Sequence, residues 1–236
     1  MATSLRGAPL RALRRLALAG LGVLCLGTLA ARPAHASESS AGGGRAPAAR
    51  SADLLGASAS DDVRQTADWV VRTDDNRGRP FIIVDKKAAK VFVFDGRAHL
   101  RGATMVLLGL AVGDESAPGV GDRPLAQIRP EERTTPAGRF EASFGLNLAG
   151  QDVLWIDYDA ALALHRVLNV GTRQHRLERL AAGSALDRRI TFGCINVPVK
   201  FYEDVVQAEF RGAVGVVYIL PETRPIHEVF PGLAKR

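Results

Sequence analysis

The sequence predicts a mainly β domain with two or three peripheral helices. Three observations carry that reading. Two runs of β-branched and aromatic residues, Phe81-Ile-Ile-Val-Asp85 and Lys90-Val-Phe-Val-Phe-Asp95, follow one another across a short charged turn. Further runs of the same kind recur at 98–110, 139–146, 153–157, 161–167 and 214–220. No helical pattern separates the first strands, which argues for an antiparallel meander and against a doubly wound fold.

In chain order, residues 1–36 come first. They hold Arg6, Arg11, Arg14 and Arg15, then an apolar stretch from 16 to 30, and end in Ala34-His35-Ala36 with no acidic residue before Glu38. This is the pattern of a secretory signal peptide, and the apolar run is short for a membrane span. Its removal has two consequences. The formal charge of +6 loses five arginines and no acid, leaving +1, so the basic balance gives no support to nucleic-acid binding. Of the two cysteines, Cys25 leaves with the signal and Cys194 stays. An exported chain with one leftover thiol cannot form an internal disulfide. The thiol is then a buried hydrophobe, an intermolecular cross-link or a nucleophile. No apolar run of spanning length follows, so the mature chain is expected in the periplasm or cell envelope, with no membrane span and as a monomer.

Residues 37–60 are rich in Ala, Gly and Ser and read as a disordered tether. A single domain, 61–236 with its core at about 80–221, is long enough to bury a hydrophobic core without disulfides. Asp61-Asp62, followed by Val63, Ala67, Val70 and Val71, predicts a short amphipathic helix with acids at its N-terminus. After the meander, 113–138 is punctuated by glycines and prolines. A segment that long without periodicity reads as a functional or mobile loop, a lid over a site or a surface excursion. Leu177, Leu180 and Ala181 predict a helix over 173–185, and Pro198 opens another that runs to Phe210.

Cys194 lies in Arg189-Ile-Thr-Phe-Gly-Cys-Ile-Asn-Val-Pro198. A nucleophilic thiol needs a base or cation nearby and preorganised N–H donors for the oxyanion. Gly193 allows a tight turn and close backbone approach. Four histidines remain as bases. His99 falls in an early hairpin, His227 in the tail after Pro225, and His175 in the charged run 173–176, which reads as a solvated helical face. His165 ends a predicted strand, and rigid support favours it. Trp155 and Tyr158 read as core or rim packing.

Thr191-Phe-Gly-Cys-Ile-Asn196 resembles the active-site signature of the L,D-transpeptidase (YkuD-like) family. The run from Ile82 to Gly96 resembles that family's first strands, and Thr135-Pro-Ala-Gly-Arg-Phe140 resembles its Thr-Pro-x-Gly-x-Phe segment. The resemblance spans about Pro80 to Pro221. It implies a β-sandwich or barrel acting on peptidoglycan stem peptides without metal or organic cofactor. It assigns Cys194 as nucleophile, His165 as general base and Thr191 as support for the turn. Backbone N–H groups of Gly193 and Cys194 become the oxyanion donors, and Asn196 the polar position after the cysteine. The expected reaction is a Cys194 thioester resolved by an acceptor amine. The alternatives are resolution by water, as in an L,D-carboxypeptidase or endopeptidase, and a silent wall-peptide-binding domain. Arg133, Arg139, Arg188 and Arg189 are candidates for pairing with stem carboxylates. Two positions depart from the family pattern. Phe192 stands where it usually has histidine, and His165 precedes Cys194 by 29 residues, against 19 for His175, the alternative base.

Overall fold

In the computed structural model, residues 51–168, 174–181 and 183–233 are described. The expected signal peptide with Cys25, the tether as far as residue 50, and Arg173 lie outside them.

Among the described residues ten strands form: β1 (Phe81–Asp85), β2 (Lys90–Phe94), β3 (Leu100–Met105), β4 (Leu108–Gly109), β5 (Gly138–Leu146), β6 (Asp152–Asp157), β7 (Leu162–Arg166), β8 (Arg189–Thr191), β9 (Ile195–Val197) and β10 (Gly215–Ile219). Eight of them make one sheet in the order β3-β2-β1-β10-β5-β6-β7-β9, and β4 pairs with β8 in a second, two-stranded sheet. The fold is mainly β, as the strand density predicts. The meander β1-β2-β3 is antiparallel, while β1 pairs with β10 and β7 with β9 in parallel.

Side chains alternate across the central strands, so two cores form. Ile82, Val84, Val91, Val93, Val217 and Ile219 face one, where Leu154, Leu164, Ile195 and Val197 of the curling second half of the sheet meet them with Tyr202 and Phe210. Phe81, Ile83, Phe92, Phe94, Val216 and Tyr218 face the other, closed by α1 (Asp61–Thr73) through Val63, Ala67, Trp69 and Val70. Both faces of β1 and β10 are thus covered, which is why these strands read as unbroken apolar runs rather than as alternation. Ser60 caps α1 by accepting from the Val63 N–H.

The first core is completed by the helix over 199–210, which contains a π-helical stretch, Tyr202–Val206. The expected helix over 173–185 is shorter: α2 (Arg176–Ala181), followed by a single turn, Leu186–Arg188.

Three expectations are corrected. The strand expected over 98–110 is two. After Met105 the chain leaves β2, and Leu107 exchanges both backbone hydrogen bonds with Asn196 (2.9 Å each), so the far edge of β9 meets the chain leaving β3 and the sheet nearly closes. The segment 51–60, expected as tether, makes specific contacts. Ala52, Leu54, Ala57 and Ala59 pack on the second core, and Asp53 bridges His99, because small apolar side chains still bury area where a sheet edge is open. The segment 113–138 carries three short 3-10 turns and is tied at both ends. The Asp114 carboxylate accepts from the N–H groups of Glu222, Thr223 and Arg224, and Thr135 is fully buried.

Candidate active site

The site begins with sheet register. In the parallel pair β7–β9, His165 stands opposite Asn196 and Leu164 opposite Ile195. Alternation then puts Cys194 and Asn196 on one face, with His165 and Ala163, while Leu164, Ile195 and Val197 point into the core. Sequence spacing could not reveal this. His165 and Cys194 are far apart along the chain, and the parallel pairing of two short strands brings them onto one sheet face.

The turn before β9 is built by hydroxyls. Thr191 Oγ1 accepts from the Gly193 N–H (3.2 Å) and donates to the Cys194 carbonyl (2.7 Å). Thr135 Oγ1 donates to the Gly193 carbonyl (2.7 Å) and accepts from the Gly109 N–H (2.9 Å). Gly193 has φ +135°, and a Cβ there would lie 2.7 Å from the Thr134 carbonyl oxygen. The Thr135-Pro-Ala-Gly segment and the Gly-Cys segment, separate in sequence, are therefore one packed unit. Thr191 sits where a support for the turn is expected. The Gly193 N–H, expected as an oxyanion donor, donates to Thr191 Oγ1 in this arrangement.

Behind Thr135 lies a buried ionic cluster. Lys86, with no exposure, donates to Asp114 (2.7 Å) and to the Thr135 carbonyl (2.9 Å). Arg189 pairs with Glu222 and donates to the Ala111 carbonyl (3.2 Å). Two cations and two carboxylates balance, so the cluster anchors both ends of the loop without a net buried charge.

Cys194 is half-buried, its sulfur 3.5 Å from the Ala161 carbonyl oxygen. Burial pushes the thiol pKa up, opposed by the Ala163 N–H, by its own backbone and by the charge of Arg176. Burial pushes the His165 pKa down, and Arg176 pushes the same way. Both shifts favour the uncharged forms of the thiol and the imidazole. Nδ1 of His165 lies 2.8 Å from the Arg166 carbonyl, which can only accept, so Nδ1 carries the proton and Nε2 the lone pair. That lone pair accepts from Asn196 Nδ2 (3.0 Å), and Asn196 Oδ1 accepts from Arg176 (2.9 Å). Among the described residues, the ring is hydrogen-bonded to Asn196 and Arg166 rather than to the sulfur.

The run 173–176, expected as a solvated face, is divided. His175 is exposed and pairs with Glu178 (2.6 Å), whereas Arg176 turns inward to Asn196. Sequence reasoning missed Arg176. One arginine in a charged run carries no local signal of direction. Of the four arginines considered for substrate, Arg139 pairs with Asp75, Arg189 with Glu222, and Arg188 is buried. Arg133 lies over the Phe192 ring, 4.0 Å from its centroid, so Phe192 holds a guanidinium beside the turn. Trp155, in register with Ala163, is half-buried and stacks on the exposed Tyr158 (4.7 Å). His165 and Arg166 also line a cleft of about 340 Å³ that reaches Asp152 and Glu203. Among the described residues, no group of three or more His, Cys, Asp or Glu side chains is placed to hold a metal ion.

No family model matches the chain. No curated protein matches it. Among solved structures, it is similar to the crystal structure of an L,D-transpeptidase (Yku) from Stackebrandtia nassauensis, at 13% identity and a TM-score of 0.36, over 71% of this chain and 69% of that one.

Proposed function

We propose that the chain is an exported cysteine acyltransferase that acts on peptidoglycan stem peptides by L,D-transpeptidation. The observation that carries the reading is the pairing of β7 with β9. It puts the Cys194 thiol, on a tight glycine turn, on the same sheet face as a histidine whose Nε2 carries the lone pair, held by Asn196. The order of the Thr135-Pro-Ala-Gly and Thr191-Phe-Gly-Cys-Ile-Asn segments supports the substrate class by resemblance, and their packing against each other gives that order a physical purpose.

In this reading the Cys194 proton passes to His165 Nε2 once Asn196 yields the lone pair. Sulfur attacks the carbonyl that precedes the terminal D-residue of a tetrapeptide stem. The C–N bond breaks, the leaving amine takes the proton from His165, and a thioester remains. An amine of a second stem then attacks the thioester, its proton returns to His165, and the C–S bond breaks. Water in place of that amine makes the same machinery a carboxypeptidase or endopeptidase. One observation favours the silent wall-peptide-binding alternative: in the resting arrangement Asn196 occupies the base.

The test is incubation with disaccharide-tetrapeptide and mass spectrometry of the products. Cross-linked dimers are expected from the parent and tripeptide alone from a hydrolase, with neither from Cys194→Ala. His165→Gln is expected to lose at least about a hundredfold in rate, the usual worth of general-base catalysis, while His175→Gln retains activity. Absence of any product or acyl-enzyme would refute both enzymatic readings, and full activity in His165→Gln would refute the base.

A further inference from the structure

Arg176 is a half-buried cation whose hydrogen-bond partners are neutral. It donates to Gln174 Oε1 (2.7 Å) and to Asn196 Oδ1 (2.9 Å). Among the described residues no carboxylate pairs with Arg176, His165 or Cys194. A guanidinium stays charged at any ordinary pH, and holding one partly out of water without a counter-ion is costly. The other arginines packed near the turn are compensated or engaged elsewhere: Arg189 by Glu222 and Arg133 by the Phe192 ring and the Ile128 carbonyl. Among the described residues, the group that can become an anion and that interacts electrostatically with Arg176 is the thiol of Cys194, just before β9 and two residues before Asn196 on the same face. The Gly193 N–H, which would otherwise serve negative charge at this turn, is already taken by Thr191.

We propose that Arg176 is the counter-ion of the Cys194 thiolate and the residue that orients the Asn196 amide against His165. This rests on Cys194 being the nucleophile. The second role follows from donor and acceptor logic. An amide side chain has one acceptor end and one donor end. Arg176 can only donate, so it claims Oδ1 of Asn196 and turns the NH₂ toward His165. The Arg166 carbonyl keeps the proton on Nδ1, so His165 presents a lone pair at Nε2, and the amide end that Arg176 turns toward the ring donates to it.

The titratable and charged groups around the sulfur are Arg176 from α2 and His165 from β7, with Arg133, from the segment before β5, over Phe192 instead. An imidazolium next to Arg176 is disfavoured, so in the free enzyme the charge partner of the thiolate is the arginine, and His165 takes the proton only as the sulfur attacks. That separates the free site from a resting thiolate–imidazolium pair and makes the two distinguishable.

The experiment is alkylation of Cys194 by iodoacetamide across pH 5–10, on the full chain carrying Cys25→Ser, with the adduct located by peptide mass. The thiolate displaces iodide and forms a C–S bond, so the rate follows thiolate content. Arg176→Gln is expected to raise the midpoint by about one unit and to slow alkylation at neutral pH by about tenfold. Arg176→Lys, which keeps the charge, should stay within about half a unit of the parent. His165→Gln should leave the midpoint near the parent value. The proposal is overturned if the Arg176→Gln and parent profiles superimpose, if Arg176→Lys moves as far as Arg176→Gln, or if His165→Gln moves the midpoint as much as Arg176→Gln does. Far-UV circular dichroism checks that each variant folds, and Arg176→Met, which also removes the charge, carries the test if the Gln variant does not. A parent that shows the Arg176-dependent profile but forms no acyl-enzyme with disaccharide-tetrapeptide would refute the acyl-transfer reading and uphold the pairing.

Discussion

Thr135→Val is the most incisive probe of how the turn is held. The substitution conserves shape and removes one hydroxyl from a site with no solvent exposure. That hydroxyl accepts from the Gly109 N–H at 2.9 Å and donates to the Gly193 carbonyl at 2.7 Å. Valine therefore leaves a buried donor and a buried acceptor without partners. Each such group costs about 1–3 kcal/mol, so the expected loss is about 4 kcal/mol. With a urea dependence of roughly 2 kcal/mol per molar, the unfolding midpoint should fall by about 2 M. Thr135→Ser is the control. It keeps both hydrogen bonds and loses one methyl, which costs about 1 kcal/mol. The assay is urea unfolding followed by tryptophan fluorescence, run with iodoacetamide alkylation of Cys194. The valine variant should also alkylate with an altered rate, since the Gly193 carbonyl is released and the turn relaxes. A midpoint shift below about 0.5 M, or a serine variant as unstable as the valine one, would refute the claim that the hydroxyl joins the two segments.

Two further outcomes are expected. Gly193→Ala sets a Cβ 2.7 Å from the Thr134 carbonyl oxygen, at a φ of +135° that side chains rarely adopt. It should lower the thermal midpoint clearly and abolish Cys194-dependent product formation, and normal activity in that variant would show the turn to be looser than its geometry. Burial pushes the Asp114 carboxyl up, but hydrogen bonds from Lys86, Thr223 and the backbone N–H groups of Glu222 and Thr223 outweigh it and hold its pKa well below the usual carboxylate range. Its stabilising contribution is therefore complete above the unfolded carboxylate pKa of about 4 and is lost as pH falls through the folded value. Asp114→Asn should be less stable than the parent at pH 7 and flatten the acid limb of urea midpoints measured from pH 7 to pH 2. Parallel limbs would exclude Asp114 as the source.

Much of the scaffold was legible along the chain because its cause is local. Phe81–Asp85 and Lys90–Phe94 are dense in β-branched and aromatic residues and are separated by a turn, which suffices to predict a hairpin. Asp61-Asp62 with apolar residues at helical spacing marks α1, and Pro198 marks the helix that follows the site. The break at Val106 was not legible, because Leu107 leaves its neighbour strand for a backbone partner, Asn196, that no nearby residue announces.

The candidate site divides along the same line. A leftover thiol after a glycine, a histidine on a strand and a Thr-Pro-x-Gly segment are statements about residue type and order, so a linear reading finds them. Direction and partnership belong to the folded chain. Gly193 offered an N–H that Thr191 already holds, and Arg176 looked solvated until α2 turned it toward Asn196. Hydrogen bonds and charge pairs are settled by distances of a few ångströms between segments far apart in sequence, and those distances exist only once the sheet has closed.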